Sequence, residues 1–250
     1  MIAGMQPWRV ALAIACLAAW VALMLSADGL TLATVCSSGS GRVASTLSIL
    51  DSVPLEDTLS EIVLRAVLMT AAMMLPLVAA PLKHVRARSF AQRRPRASLL
   101  FLVGYAVVWI CAGIILHAIA IATRWATPPW LASESAVIAV AVLWQVSPPK
   151  QWCLNRCHRR PHLAAFGLAA DRDALAFGLG NGLFCVGTCW ALMLVPLSTA
   201  RWHLIAMAAA SLFIFAERLE RPAALAWRCR FPCKAARIAT AQLRHLAQAR

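Results

Sequence analysis

Six stretches of this chain are apolar over close to the length a helix needs to cross a bilayer, and polar residues collect between them. A crossing takes roughly 20 residues at about 1.5 Å of rise each. The runs lie at about Val10–Val35, Ile62–Leu82, Ser98–Thr123, Leu131–Val146, Ala174–Leu197 and Trp202–Ala216. The third carries no charge, and the fourth and sixth are the shortest. The pattern predicts an all-α polytopic membrane protein with six transmembrane helices. Five would remain if the first run, with Arg9 before it and Ser26-Ala27-Asp28 after it, were cleaved as a signal peptide. The chain then divides into residues 1–61 (first helix and the loop after it), 62–219 (a five-helix core) and 220–250 (a basic tail).

Composition strengthens this reading. The 250 residues are 61% hydrophobic, with mean hydropathy +0.71, against about 45–50% apolar in soluble domains. The formal net charge is +14. Such basicity also marks nucleic-acid-binding domains, but a soluble one does not carry several bilayer-length apolar runs. The expected partner is the lipid bilayer, and nucleic acid is excluded. Basic residues cluster between Lys83 and Arg96, between Lys150 and Arg172, and from Arg218 onward, whereas the opposite loops offer only Arg42, Arg124 and Arg201. Asp51, Glu56, Asp57 and Glu61 follow the first run. Positive-inside bias therefore places both termini in the cytoplasm, in a bacterial inner membrane. Trp125, Trp130 and Trp202 suit interfacial anchors. The tail from Ala223, interrupted by Pro232, reads either as a basic amphipathic segment against anionic headgroups or as a soluble topogenic tail.

The candidate chemistry is sulfur. Nine cysteines, most of them in or beside apolar runs, form no evident disulfide scaffold. Cys185, Cys189 and Met193 fall at successive helical turns, so they share one face. Met69 and Met73 do the same in the second run. Counting inward puts Met73 and Cys185 at similar depth, so two helices could present Met69, Met73, Cys185 and Cys189 to one soft ion such as Cu(I). Ordinary packing competes with this account, because Met fills gaps and buried Cys behaves as a small hydrophobe. Pro76 frees a carbonyl one turn earlier and should kink its helix. A second pair, Cys153 and Cys157, follows the Pro148-Pro149 break, with His158 and His162 nearby. Its spacing is not that of a zinc finger. Arg156, Arg159 and Arg160 are expected to lower its thiol pKa values. Gly178 and Gly182 allow a close helix approach, and Gln145 and Asn181 are expected to bond to neighbouring helices. Glu217 is expected to pair with Arg218 or a loop arginine. His117 and His203, near the periplasmic ends of their spans, read as structural, with an entry site as the alternative, and the Cys229–Cys233 pair reads as incidental. No Ser-His-Asp set, Walker motif or dinucleotide fingerprint is present.

Three stretches together resemble a bacterial family of predicted metal-binding integral membrane proteins of unknown function. They are Met69-x3-Met73-Met74-x-Pro76, Gln145-x-Ser147-Pro148-x-Lys150-x2-Cys153-x3-Cys157, and Gly182-x2-Cys185-x-Gly187-x-Cys189-Trp190-x-Leu192-Met193. Glu217 with the basic residue after it resembles the end of that family's last helix. The resemblance covers about Leu64–Leu219. Thr188 stands where members often have another cysteine, and Trp144 where they have tyrosine.

The leading expectation is soft-metal handling or delivery rather than catalysis, with Cu(I) as the ion. Met69, Met73, Cys185, Cys189 and Met193 would form a membrane site, and Cys153 with Cys157 a cytoplasmic exchange site. A membrane or periplasmic protein would be the partner. Two other classes compete. In a thiol–disulfide carrier, Cys185 and Cys189, with Cα atoms near 6 Å, would be redox active. In a structural or assembly subunit no metal is bound, and Gly178 and Gly182 pack a partner.

Overall fold

The computed structural model describes residues 6–28, 55–126, 133–199, 202–229 and 231–248. The loop with Arg42 and Asp51, the anchor Trp130, Arg201 and the side chain of Trp125 lie outside the described residues. Every regular element among the described residues is helical: α1 (Pro7–Asp28), α2 (Leu55–Arg88), α3 (Arg94–Ala126), α4 (Ser133–Val146), α5 (Pro148–Cys157), α6 (Gly167–Ser198), α7 (His203–Arg218) and α8 (Cys233–Gln248).

A helix falls on each of the six apolar runs. Four of these helices, α1, α2, α3 and α6, are long and apolar enough to cross a membrane. With 14 and 16 residues, α4 and α7 rise only about 21 and 24 Å, short of the hydrocarbon thickness of about 30 Å. The tail helix α8 starts just after Pro232, so that proline precedes the helix rather than interrupting it.

In α3, Phe101, Tyr105, Trp109, Ala112, Leu116 and Ala120 are buried against other helices. Leu99, Val103, Val107, Ile110, Ile114 and Ile121 are exposed on the opposite face. Both sets follow helical spacing, so the helix is apolar all round. In water the second face would be a large unsatisfied patch; in lipid it is a normal surface.

The central helix is α6, which packs against α3, α4, α5 and α7. Its closest neighbour is α3, and glycine makes the approach possible. A Cβ added at Gly178 would lie 2.2 Å from the Phe101 carbonyl oxygen, and one at Gly182 would lie 3.0 Å from Val108 Cβ. Gly104 of α3 reciprocates, since a Cβ there would be 2.7 Å from Leu175 O. The close approach expected for the Gly178/Gly182 face is thus made within the chain.

On the other flank α1 packs along α2, and α2 stays helical through Pro76 and Pro81. Pro76 leaves the Ala72 carbonyl without its usual helical donor. Trp20 Nε1 and Cys16 Sγ of α1 donate to that oxygen at 3.1 and 3.3 Å. At one end of the bundle Arg93 and Arg96 both reach Asp171 at 2.8 Å. There His84 Nε2 lies 2.9 Å from Pro161 O, and Arg86 sits over the Trp8 ring. This basic end gathers the start of α1, the end of α2 and the starts of α3 and α6.

Replacing Gly178 by alanine forces a methyl into the Phe101 backbone and should destabilise by about 1–3 kcal/mol. Nothing lies within 4 Å of a Cβ at Gly180, so Gly180→Ala should be neutral. Thermal unfolding of the detergent-purified variants checks this, and equal melting temperatures for both would contradict the packing account.

Candidate metal centre

The α3–α6 contact sets the site. With Gly178 and Gly182 seated on α3, Tyr105 comes to lie over Cys185, and its hydroxyl donates to Cys185 Sγ at 3.3 Å. Cys189, one turn along, is also enclosed and donates to the Cys185 carbonyl at 3.0 Å. Both thiols are enclosed on one face of α6, a single turn apart. Thr188 sits between them in sequence, with its hydroxyl turned back onto the Cys185 carbonyl at 2.6 Å.

Met69, Met73 and Met193 are all buried in the same core as these thiols. The thioether that meets a thiol is nevertheless Met74, whose Sδ lies 4.0 Å from Cys185 Sγ. Met74 directly follows Met73, and neighbouring residues on a helix point about 100° apart. A groove of about 300 Å³ between α2 and α3 reaches Met74 and Tyr105, with His117 among its lining residues.

The second cysteine pair lies close to the first. Cys157, at the end of α5, is buried and interacts electrostatically with Cys185 and with Arg218 at the end of α7. Cys153 packs on α6 at Gly187, where a Cβ would fall 2.6 Å from its Sγ. The expectation that neighbouring arginines lower these thiol pKa values is overturned. Burial pushes Cys157 up to about 12, against an opposing pull from Arg218, and burial also raises Cys153. Arg156 instead stacks over the Trp152 and Phe184 rings, at 4.7 and 5.7 Å. His158 caps α5, with Nδ1 2.9 Å from Leu154 O and Nε2 3.2 Å from Arg218 O. His162 is exposed on the connection to α6.

Arg218 is the residue that sequence reasoning underrated. It does not pair with Glu217. It faces Cys185, Cys157, Tyr105 and Cys189, and its Nε is buried with no hydrogen-bond partner. Among the described residues the other such buried nitrogen is Trp109 Nε1, and that ring packs on Tyr105. Two unsatisfied donors therefore border the sulfur cluster.

Glu217 has other partners. Its Oε1 accepts from the Lys150 ammonium and from Gln145 Nε2. Lys150 is only 4% exposed and is held at the start of α5, where Ser147 caps the helix and accepts from its backbone N–H. Trp144 Nε1 donates to Gly187 O at 3.0 Å. Asn155 makes two bonds to Ala223, at 2.8 and 3.1 Å. This clamp ties α4, α5 and α7 to α6 beside the thiols. Gln145 thus bonds to a neighbouring helix as expected. Asn181 does not, and it lines a separate cleft. His117 and His203 bond to carbonyls, at 2.9 and 2.7 Å, consistent with structural roles.

A model of the PpoB2 family, described as copper chaperone, matches residues 63–235. The chain belongs to this copper chaperone family. No curated protein and no solved structure matches it. The matched region holds all three cysteine pairs, the buried methionines and the Lys150–Glu217 clamp. For a copper chaperone family the donor chemistry fits: thiols and thioethers favour a soft ion. Among the described residues no three His, Cys, Asp or Glu side chains gather as a metal-holding group, so a closed four-ligand zinc site is not formed there.

Removing one partner of the clamp strands a buried charge. Lys150→Met should therefore cost about 3–5 kcal/mol, and the Lys150→Met/Glu217→Gln pair less than the sum of the single changes. A double-mutant cycle on thermal unfolding measures this. Strict additivity would mean that the two side chains do not act as a pair.

Proposed function

We propose that the protein is a membrane-embedded copper chaperone that carries Cu(I) as cargo between the thiolates of Cys185 and Cys189. The observation that carries this reading is the enclosed pair of adjacent thiols with Met74 Sδ at 4.0 Å, in a chain of the copper chaperone family. Cu(I) is stable with two or three soft ligands, so two thiolates and a nearby thioether suffice. A cuprous ion between two thiolates has a net charge of −1, which is costly to bury unless a cation compensates it. Arg218 supplies that cation. Met69, Met73 and Met193 offer further thioethers in the same core. Cys153 and Cys157, on α5 beside the enclosed pair, form an exchange position, and at the half-buried Cys153 a protein partner would donate or receive the ion. The six apolar helices span a bacterial inner membrane with both termini in the cytoplasm, the orientation favoured by the basic loops.

Protein purified anaerobically in detergent should retain copper, read by elemental analysis. The double change Cys185→Ser/Cys189→Ser should abolish retention, and unchanged stoichiometry there would end the proposal. Arg218→Met should weaken retention by about tenfold or more, the consequence of leaving a buried anion unpaired. Orientation has a separate test. In intact cells an impermeant thiol reagent should not reach the exposed Cys229 and Cys233, and it should reach them once the membrane is opened. Labelling before opening would reverse the topology.

A further inference from the structure

A second cleft, of about 320 Å³, lies at the basic end between α6 and the connection from α5. Its α6 wall is a single helical face: Phe177, Gly180, Asn181 and Phe184 recur at helical spacing. The opposite wall and rim carry Arg156, Arg159 and His162. Asp173 is the acid of the cleft, and its Oδ2 accepts from the Ala164 N–H at 2.9 Å, which pins the connection in place. Two arginines against one carboxylate leave the cleft positive. Arg156 is held along the wall by its stacking on Trp152 and Phe184.

Two further features point to a ligand. Asn181 is only 7% exposed, lines this cleft and has no hydrogen-bond partner among the described residues. A polar amide in that position usually has a partner. At Gly180 a Cβ would meet nothing within 4 Å, so open space continues along the helix face. The cleft therefore runs from cationic side chains, past one unpaired amide, to aromatic and aliphatic walls on an apolar membrane-length helix.

We propose that this cleft binds an anionic phospholipid. Arg156, Arg159 and His162 hold the headgroup phosphate, Asn181 donates to the glycerol ester region, and the first methylenes of the chains lie along Phe177 and Phe184. Charge-assisted bonds from two guanidinium groups suit a phosphodiester. The volume matches a headgroup with the start of its chains, while the rest of the lipid extends along the exposed face of the bundle. This site is separate from the sulfur cluster, and it rests on the membrane reading but not on copper binding.

The test uses the full chain in detergent, stripped of lipid, titrated with phosphatidylglycerol or phosphatidylcholine and read by native mass spectrometry. Both lipids offer the phosphodiester, but the choline ammonium brings a second cation against Arg156 and Arg159, so phosphatidylglycerol should be retained about tenfold better. Gly180→Leu fills the open space without touching the backbone of a neighbour. It should remove the preference while leaving the melting temperature of the stripped protein and its copper retention unchanged. Arg159→Gln, at an exposed position, should reduce the preference in part. Equal retention of the two lipids, or undiminished preference in Gly180→Leu, would overturn the proposal. Displacement by millimolar inorganic phosphate would also overturn it, by marking a free-anion site instead.

Discussion

The seating of α6 on α3 is the contact on which the rest depends. Lipid chains are as apolar as leucine, so helices in a bilayer gain little from hiding hydrophobic surface from one another and rely on close van der Waals packing. Gly104, Gly178 and Gly182 provide it by removing side chains where the two backbones cross. The same contact fixes translation and rotation together, because a backbone carbonyl fits the Gly178 gap in only one register. Tyr105, one turn from Phe101, then meets Cys185, one turn beyond Gly182 on the side of Cys189. The polar chemistry of the centre is thus positioned by residues with no chemistry of their own.

The second constraint is charge in a low-dielectric interior. Lys150 and Glu217 satisfy each other, and Gln145 adds to the arrangement. Their neighbour Arg218 has no carboxylate and borders thiols instead. The bundle thus pairs the buried Lys150 fully and leaves the half-buried Arg218, its Nε enclosed, beside sulfur. On the proposed reading an anionic sulfur site balances that charge. Glu217 and Arg218 are adjacent in sequence yet serve different clusters, because consecutive residues on a helix point about 100° apart.

That rotation also marks the limit of what the sequence made legible. Helix existence, apolar helices long enough to cross a membrane and the Gly178/Gly182 contact follow from periodicity and composition; the structure has helices on all six runs, four of them of that length, and the glycine contact. Pro76 was legible as a freed carbonyl, though not its partners, since Trp20 and Cys16 come from a different helix. Met74, the residue after Met73 on α2, is the one whose thioether lies 4.0 Å from the Cys185 thiol of α6. Cys153 and Cys157 read as a separate pair because Pro148 and Pro149 break the chain before them. In space that break turns α5 back onto α6, where Gly187 leaves room for Cys153. The thiol pKa expectation failed for a related reason. Nearby arginines in sequence point to solvent or onto aromatic rings, while burial dominates at Cys157.

Burial raises a question of access that the arrangement of sulfur answers on the proposed reading. A hydrated ion cannot diffuse into a core where Cys185 and Cys189 are at most 1% exposed. A soft ion can move by exchanging one sulfur ligand for the next, because each step keeps it coordinated. Met74 is the sulfur that both lines the groove between α2 and α3 and touches Cys185. Cys157 stands on the other side, within electrostatic range of Cys185, and Cys153 lies one turn earlier on α5, against Gly187. Thioether, enclosed thiol pair and outer thiol pair thus form a graded series. The thioether holds the ion most weakly, since it cannot become an anion, and the thiols hold it more tightly once deprotonated. Directional transfer would follow from that ordering, with Arg218 stabilising the ion where the charge is deepest.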